Sequence, residues 1–176
     1  MPDSTSLPSG WVTMTRLFDA MRTMAAKMIE AYPEEQFDQP RGDANSVKWI
    51  AGHLALGMEF GLNMLGEPTP HLEDLMPVYG PGSPGGRVGD DGRTQAALVA
   101  ELRSSGDRLK QAVQRMDPAV LETPNMTPFL ANELPTVGDL LAHVYTTHIA
   151  LHMGQISQMR REMGHASYYD FSSNAG

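Results

Sequence analysis

Apolar residues recur at three- and four-residue intervals along four stretches of the chain, the spacing of an α-helix that buries one face. The first runs from Trp11 to Tyr32, with Met14, Leu17, Phe18, Met21, Met24, Ala25, Met28 and Tyr32 in register, and Pro33 stops it. The second opens at Asn45 or Ser46, both good N-caps. It carries Val47, Ile50, Leu54, Met58, Gly61 and Leu65 before Gly66 and Pro68 end it. The third runs from about Thr94 to Met116 through Leu98, Leu102, Ser105, Leu109 and Ala112, with Asp117-Pro118 as its stop. The fourth is capped by Thr136, with Asp139 as a capping-box partner. It reads as one unbroken helix from Val137 to Met163, roughly 40 Å long at about 1.5 Å per residue.

The connections are uneven. Residues 33–46 hold Pro40 and Gly42 and read as a connector. Residues 66–92 hold seven Gly and five Pro, so no regular element is expected there. A connection of that length is either functional or a crossover between helices that are not antiparallel neighbours. Its Gly80-Pro-Gly82-Ser-Pro-Gly85 has the spacing of a dinucleotide fingerprint, but no strand precedes it, no helix opens from it, and prolines stand where backbone donors are needed. Residues 119–135 form a further irregular connector, with a short turn near Ala119–Glu122. Gly52, Gly57 and Gly61 weaken the second helix, and in a stretch that stays periodic they point to a close neighbour. The fold class is therefore all-α: a four-helix bundle with a long crossover connection. Residues 11–164 form the domain. Residues 1–10 are a flexible N-terminal lead and residues 165–176 a tail whose Tyr168, Tyr169 and Phe171 either fold back or fray.

Length and composition narrow the classes. A chain of 176 residues buries a core without staples. Thirteen Met against five Phe and two Trp suit an adaptable helical core. With no cysteine, there is no disulfide, no thiolate ligand and no cysteine nucleophile. A net charge of −8 without a Lys/Arg run speaks against nucleic acid as a partner. The opening MPDSTSLPSG lacks the charged and apolar regions of a signal peptide. The least polar run, Trp49–Leu65, contains His53, Glu59 and Asn63, so it reads as a core helix and not a membrane span. A cytoplasmic protein is expected.

Candidate chemistry concentrates in LLAHVYTTHIALHMGQISQMRREMG, residues 140–164. His148 and His152 are four residues apart and share the face of Leu141, Val144, Tyr145, Ile156 and Met159. Burying an imidazole without a partner is costly. Two explanations follow: a shared metal ion, or satisfied core hydrogen bonds. His53 lies on the inner face of the second helix beside Ile50 and Leu54. If the second and fourth helices are neighbours, three imidazoles can meet, giving a neutral three-nitrogen set of the kind that holds zinc at about 2.0–2.1 Å. Such an ion lowers the pKa of a coordinated water to about 7, or polarises a thiol or a carbonyl.

Ile149 stands where a zincin HExxH motif needs its general-base Glu, so a metalloprotease is not expected. No Asp or Glu is clearly placed on the inner lane. Gln155 is either an orienting partner for a histidine ligand or a buried amide tying two helices together. His143 lies about 140° round the helix from His148, at 100° per residue, and off the lane. His71 in the connector and His165 after the helix read as surface residues.

These residues resemble the DinB/YfiT-like superfamily, the DinB-like domain. The matching pieces are GHLA (52–55), LPTVGDLLAHVYTTH (134–148) and HMGQISQMRREMG (152–164), and the likeness covers roughly residues 11–164. It implies a four-helix bundle with a crossover, a divalent metal ion (Zn, Ni or Fe) on His53, His148 and His152, and a homodimer. Some relatives use a low-molecular-weight thiol: bacillithiol or mycothiol S-transferases and the mycothiol-dependent maleylpyruvate isomerase. The expectation is a metal-dependent enzyme acting on a small-molecule substrate, either a thiol-dependent S-transferase or a hydrolase. The alternative is a non-catalytic metal- or ligand-binding bundle connected with stress. No residue can be matched to a thiol pocket, and catalytic residues stay unassigned.

Overall fold

The structure is a computed structural model that describes residues 7–166 and residue 168. Six α-helices follow in order: α1 (Ser9–Glu30), α2 (Val47–Met64), α3 (Leu72–Tyr79), α4 (Gln95–Arg115), α5 (Val137–Tyr145) and α6 (Thr147–Glu162). Two 3-10 turns, Glu34–Gln36 and Pro118–Glu122, punctuate the connectors. No strand is formed among the described residues; one isolated bridge joins Pro124 to Thr136. No helix among them is long and apolar enough to cross a membrane.

The helix starts obey their local chemistry. Ser46 accepts from Trp49 N at 3.1 Å and Thr94 accepts from Ala97 N at 3.1 Å, so each hydroxyl satisfies one of the orphan N–H groups of a helix N-terminus. Thr136 and Asp139 close the expected capping box, each side chain bonding the other's backbone N–H at 3.1 Å. Helix α1 begins at Ser9, inside the expected N-terminal lead, whose residues 1–6 lie outside the described part.

The core is continuous. Phe18, Met28 and Ile29 of α1 meet Ile50, Leu54 and Met58 of α2, Leu98, Leu102 and Leu109 of α4, and Tyr145 and Ile156 of the last two helices. All are fully or almost fully buried. Phe18 stacks on Tyr145 with ring centroids 4.0 Å apart. Tyr168 of the expected aromatic tail packs against this core, while Tyr169 and Phe171 lie outside the described residues.

Two expectations are corrected. The 66–92 segment is not structureless: it contains α3. Leu75 and Tyr79 are buried, and Leu72 and Met76 pack against the core. Glu73 and Asp74 sit in the first turn, where the helix dipole favours negative charge. Pro77 lies inside this helix, and the burial of one face outweighs its missing donor. The segment is a crossover that carries its own helix.

The second correction concerns the long last helix. It breaks at Thr146, whose backbone leaves the helical region at φ −129° and ψ −78°. The Thr146 hydroxyl donates to Ala142 O at 2.7 Å. A threonine bonding back to the i−4 carbonyl competes with the helical ladder and bends it. The bend re-aims α6 relative to α5 and sets the position of His148.

Candidate metal centre

Glycine brings the other elements onto α2. A Cβ at Gly52 would overlap the ring of Tyr79 from α3, and one at Gly61 would lie 2.9 Å from Leu109 of α4. At Gly57 it would come 3.1 Å from Cε1 of His148 on α6. The three glycines expected to mark a close neighbour do so, each for a different partner.

His53, His148 and His152 converge between α2 and α6. One ring nitrogen from each lies within 4.8 Å of the others. The Nε2 atoms of His53 and His148 are 3.0 Å apart. The three ring centroids are 4.8–4.9 Å from one another, all edge to face. His152 is buried, and His53 and His148 are partly so.

Two of the rings have their tautomer set by the protein. His53 Nδ1 donates to the carbonyl oxygen of Tyr79 at 2.7 Å, at the C-terminal end of α3. His152 Nδ1 meets Gln155 Oε1 at 2.8 Å within its own helix. Each ring proton is thereby held on Nδ1, and Nε2 becomes the lone-pair nitrogen. Such oxygen partners orient histidine ligands in metal sites. Trp49 stacks on His53 at 4.4 Å between centroids and is held by Nε1 donating to Ser83 Oγ at 2.9 Å.

His148 is the ring whose hydrogen bonding is incomplete. Its Nδ1 is buried without a partner among the described residues. A His148–His53 hydrogen bond uses one Nε2 proton and leaves that Nδ1 a stranded acceptor. A cation shared by the three rings would engage the facing Nε2 lone pairs of His53 and His148 together, with the His148 proton then on Nδ1, which has no partner among the described residues in either case. The donor set fits a divalent ion.

Electrostatics prepare the same state. Burial lowers the pKa of all three rings. His53 falls although its bond to Tyr79 opposes the shift. His148 falls well below the usual imidazole value, through burial first and then through the neighbouring rings. His152 falls to about 4, from burial and the nearby His53. Neutral imidazole is the form that ligates metal.

The remaining sequence candidates separate. Gln155 is exposed and contacts His152, so it orients a ring; the buried amide tying two helices does not occur. His143 is half-buried, and the break at Thr146 brings its ring to 5.6 Å from His148. Its Nδ1 meets Thr147 Oγ1 at 2.6 Å. His71 is exposed, 3.5 Å from the Glu101 carboxylate. His165 is partly buried beyond the end of α6.

Sequence reasoning missed what supports the site from α3 onward. The Tyr79 hydroxyl donates to the Asp91 carboxylate, which also takes Lys48 Nζ at 2.7 Å. Asp38 accepts the N–H groups of Val88 and Gly89 at 2.7 and 2.6 Å, holding the crossover to the start of α2. Glu59, a carboxylate on the inner side of α2 after all, is fully buried and paired with Arg108 at 2.8 Å. Only the polar residues of an otherwise Gly/Pro-rich segment hinted at these ties.

No curated protein matches the chain at a significant level. The family model of the DinB superfamily matches residues 17–156, a span that contains His53, His148 and His152 and most of the 176 residues. The chain belongs to the DinB superfamily.

Proposed function

We propose that the protein is a divalent-metal-dependent enzyme whose ion is held by His53, His148 and His152. The observation that carries this reading is the convergence of three imidazoles, with the Nε2 atoms of His53 and His148 facing each other and Nδ1 of His53 and His152 engaged by oxygen. Zinc, nickel and iron all suit imidazole nitrogen.

When bound, the ion would supply Lewis acidity and ease deprotonation of a water or thiol. The chain's own residues do the rest. The Tyr79 carbonyl and Gln155 fix the ring planes, and burial keeps the imidazoles neutral. Because all three histidines are neutral, they would leave a bound ion's charge uncompensated, which would favour an anionic nucleophile. The reaction class is transfer of a low-molecular-weight thiol to an electrophile, or hydrolysis with water as nucleophile. A small-molecule substrate, a cytoplasmic location and a homodimer complete the proposal.

A second reading, a non-catalytic metal- or ligand-binding bundle, draws on one feature: among the described residues, no carboxylate lines the cavity beside the rings. Tag-free protein loaded with zinc, nickel or iron, incubated with small thiols and chloro-aromatic or epoxide electrophiles, and with ester substrates, decides between them. Turnover well above that of His148→Ala supports the enzyme. Metal bound without turnover supports the binding bundle.

A further inference from the structure

We infer that the partner molecule admitted to this site is a small, uncharged aromatic compound, and that Leu130 guards its entrance. The inference rests on the proposed function for the role of the histidines, but on independent observations for the ligand.

A cavity of about 340 Å³ opens beside the rings of His53 and His148, with His143 on its wall. That size is at the small end of ligand pockets. Its remaining wall is apolar: Leu56 and Phe60 from α2, Met76 from α3, Val144 from α5, and Phe129 and Leu130 from the 119–135 connector. Among the described residues, no Asp, Glu, Lys or Arg lines it. Away from the histidines, a charged group would find no counter-ion on the described wall and would lose its hydration, which is costly. The apolar wall therefore suits the uncharged partner of the reaction, an apolar electrophile or ester, better than the charged groups of a thiol cofactor.

Phe60 and Phe129 face each other edge to face, with centroids 5.9 Å apart and planes at 81°. A ring entering there meets aromatic partners in the offset and T-shaped geometries that aromatic pairs prefer.

Leu130 marks the entrance. Among the described residues it is the one non-glycine with positive φ, at +51°. Its side chain is 45% exposed although large and apolar. The left-handed region disfavours a branched residue, and strained backbone persists at sites where surrounding structure over-determines it. Holding a leucine there, half in water, at the lip of an apolar cavity, suits a residue that closes on a ligand.

The test uses the full-length chain dialysed against EDTA and titrated by calorimetry with acetophenone, benzoate and benzylamine. These share one ring and differ in charge. The expected result is sub-millimolar binding of acetophenone, at least tenfold tighter than the two charged probes. Leu130→Asp should weaken acetophenone at least tenfold. Aspartate tolerates positive φ, and the position is half exposed, so the fold should hold. Leu130→Asn, which adds no charge, should weaken it at least threefold. Failure of acetophenone to bind, equal binding of the three probes, or indifference to both substitutions would overturn the inference. Metal-free protein is used, so such a failure leaves the metal site untouched. Acetophenone binding by a chain that takes up no metal would remove the metal reading alone.

Discussion

His53 gives its Nδ1 proton to the backbone carbonyl of Tyr79 across 2.7 Å, joining α2 to the end of α3. The same Tyr79 lays its ring against Gly52, one residue before His53, and anchors its hydroxyl on Asp91. One residue of the crossover thus orients a candidate ligand, fills the gap over α2 and ties the loop beyond to the core.

If the three rings hold an ion, metal content and stability move together. Elemental analysis of tag-free protein should find about one divalent metal per chain, and little in His152→Ala. Adding zinc at 100 times its Kd should stabilise the fold by about 2.7 kcal/mol, a rise in Tm of roughly 5–10 °C for a domain of this size. No metal in either protein after zinc and nickel loading would leave the histidines as core residues.

Gly52→Ala tests the Tyr79 contact. The new methyl overlaps the aromatic ring, so α3 must shift, at about 1–3 kcal/mol, and carry the carbonyl away from His53. Zinc affinity should fall with stability. Gly154→Ala is the control: no atom lies within 4 Å of its added Cβ, and it should stabilise α6 by about 0.5–1 kcal/mol. Chemical denaturation and competitive zinc titration read both.

Asp91 should give stability a dependence on acid. Its burial raises the carboxyl pKa, but hydrogen bonds from Lys48 and Tyr79 outweigh this and bring it from 3.8 to about 2. A folded-state value below the unfolded one stabilises at pH above the unfolded pKa and is lost as pH falls towards about 2. With the side chain only 10% exposed, the contribution is about 2 kcal/mol. Urea unfolding at pH 6 should therefore separate wild type from Asp91→Asn by about that amount. The gap should close between pH 4 and 2, and a constant gap would contradict the assignment.

Glu59 is fully buried and Arg108 is its cation at 2.8 Å. Arg108→Ala strands that carboxylate in the core, which should cost about 3 kcal/mol. Glu59→Gln with Arg108 retained should cost less, since the amide still accepts from the guanidinium. Equal losses would show that the charge is not what matters.

The proposed homodimer is tested by light scattering at micromolar concentration, where the species should have twice the 19.2 kDa chain mass.

Much of this was legible in the residues themselves. Helices α1, α2 and α4 follow from apolar spacing, and their ends from Ser46, Thr94 and the Pro and Gly stops, because capping and periodicity are local. The close approach to α2 was readable at Gly52, Gly57 and Gly61, since a helix keeps a glycine there at a cost unless a neighbour needs the space. Helix α3 was hidden. Leu72, Leu75, Met76 and Tyr79 keep helical spacing, but Pro77 and the surrounding glycines argue for a loop, and only burial against α2 overrides them. The break at Thr146 was equally hidden, because threonine is permitted in a helix and bends it only when its hydroxyl takes the i−4 carbonyl.

By itself, then, the sequence determined that the protein is all-α, that its chemistry must rest on nitrogen and oxygen, and that His148 and His152 share a helix face with His53 as the third candidate. These are matters of composition and of periods within one element. Only the tertiary structure decided that Nε2 of His53 and His148 stand 3.0 Å apart, that Tyr79 and Gln155 set two tautomers, and that a largely apolar cavity opens beside the rings of His53 and His148. Apart from the Gln155 contact, which lies within α6, each of these depends on contacts between distant segments, which burial selects and local propensity does not encode.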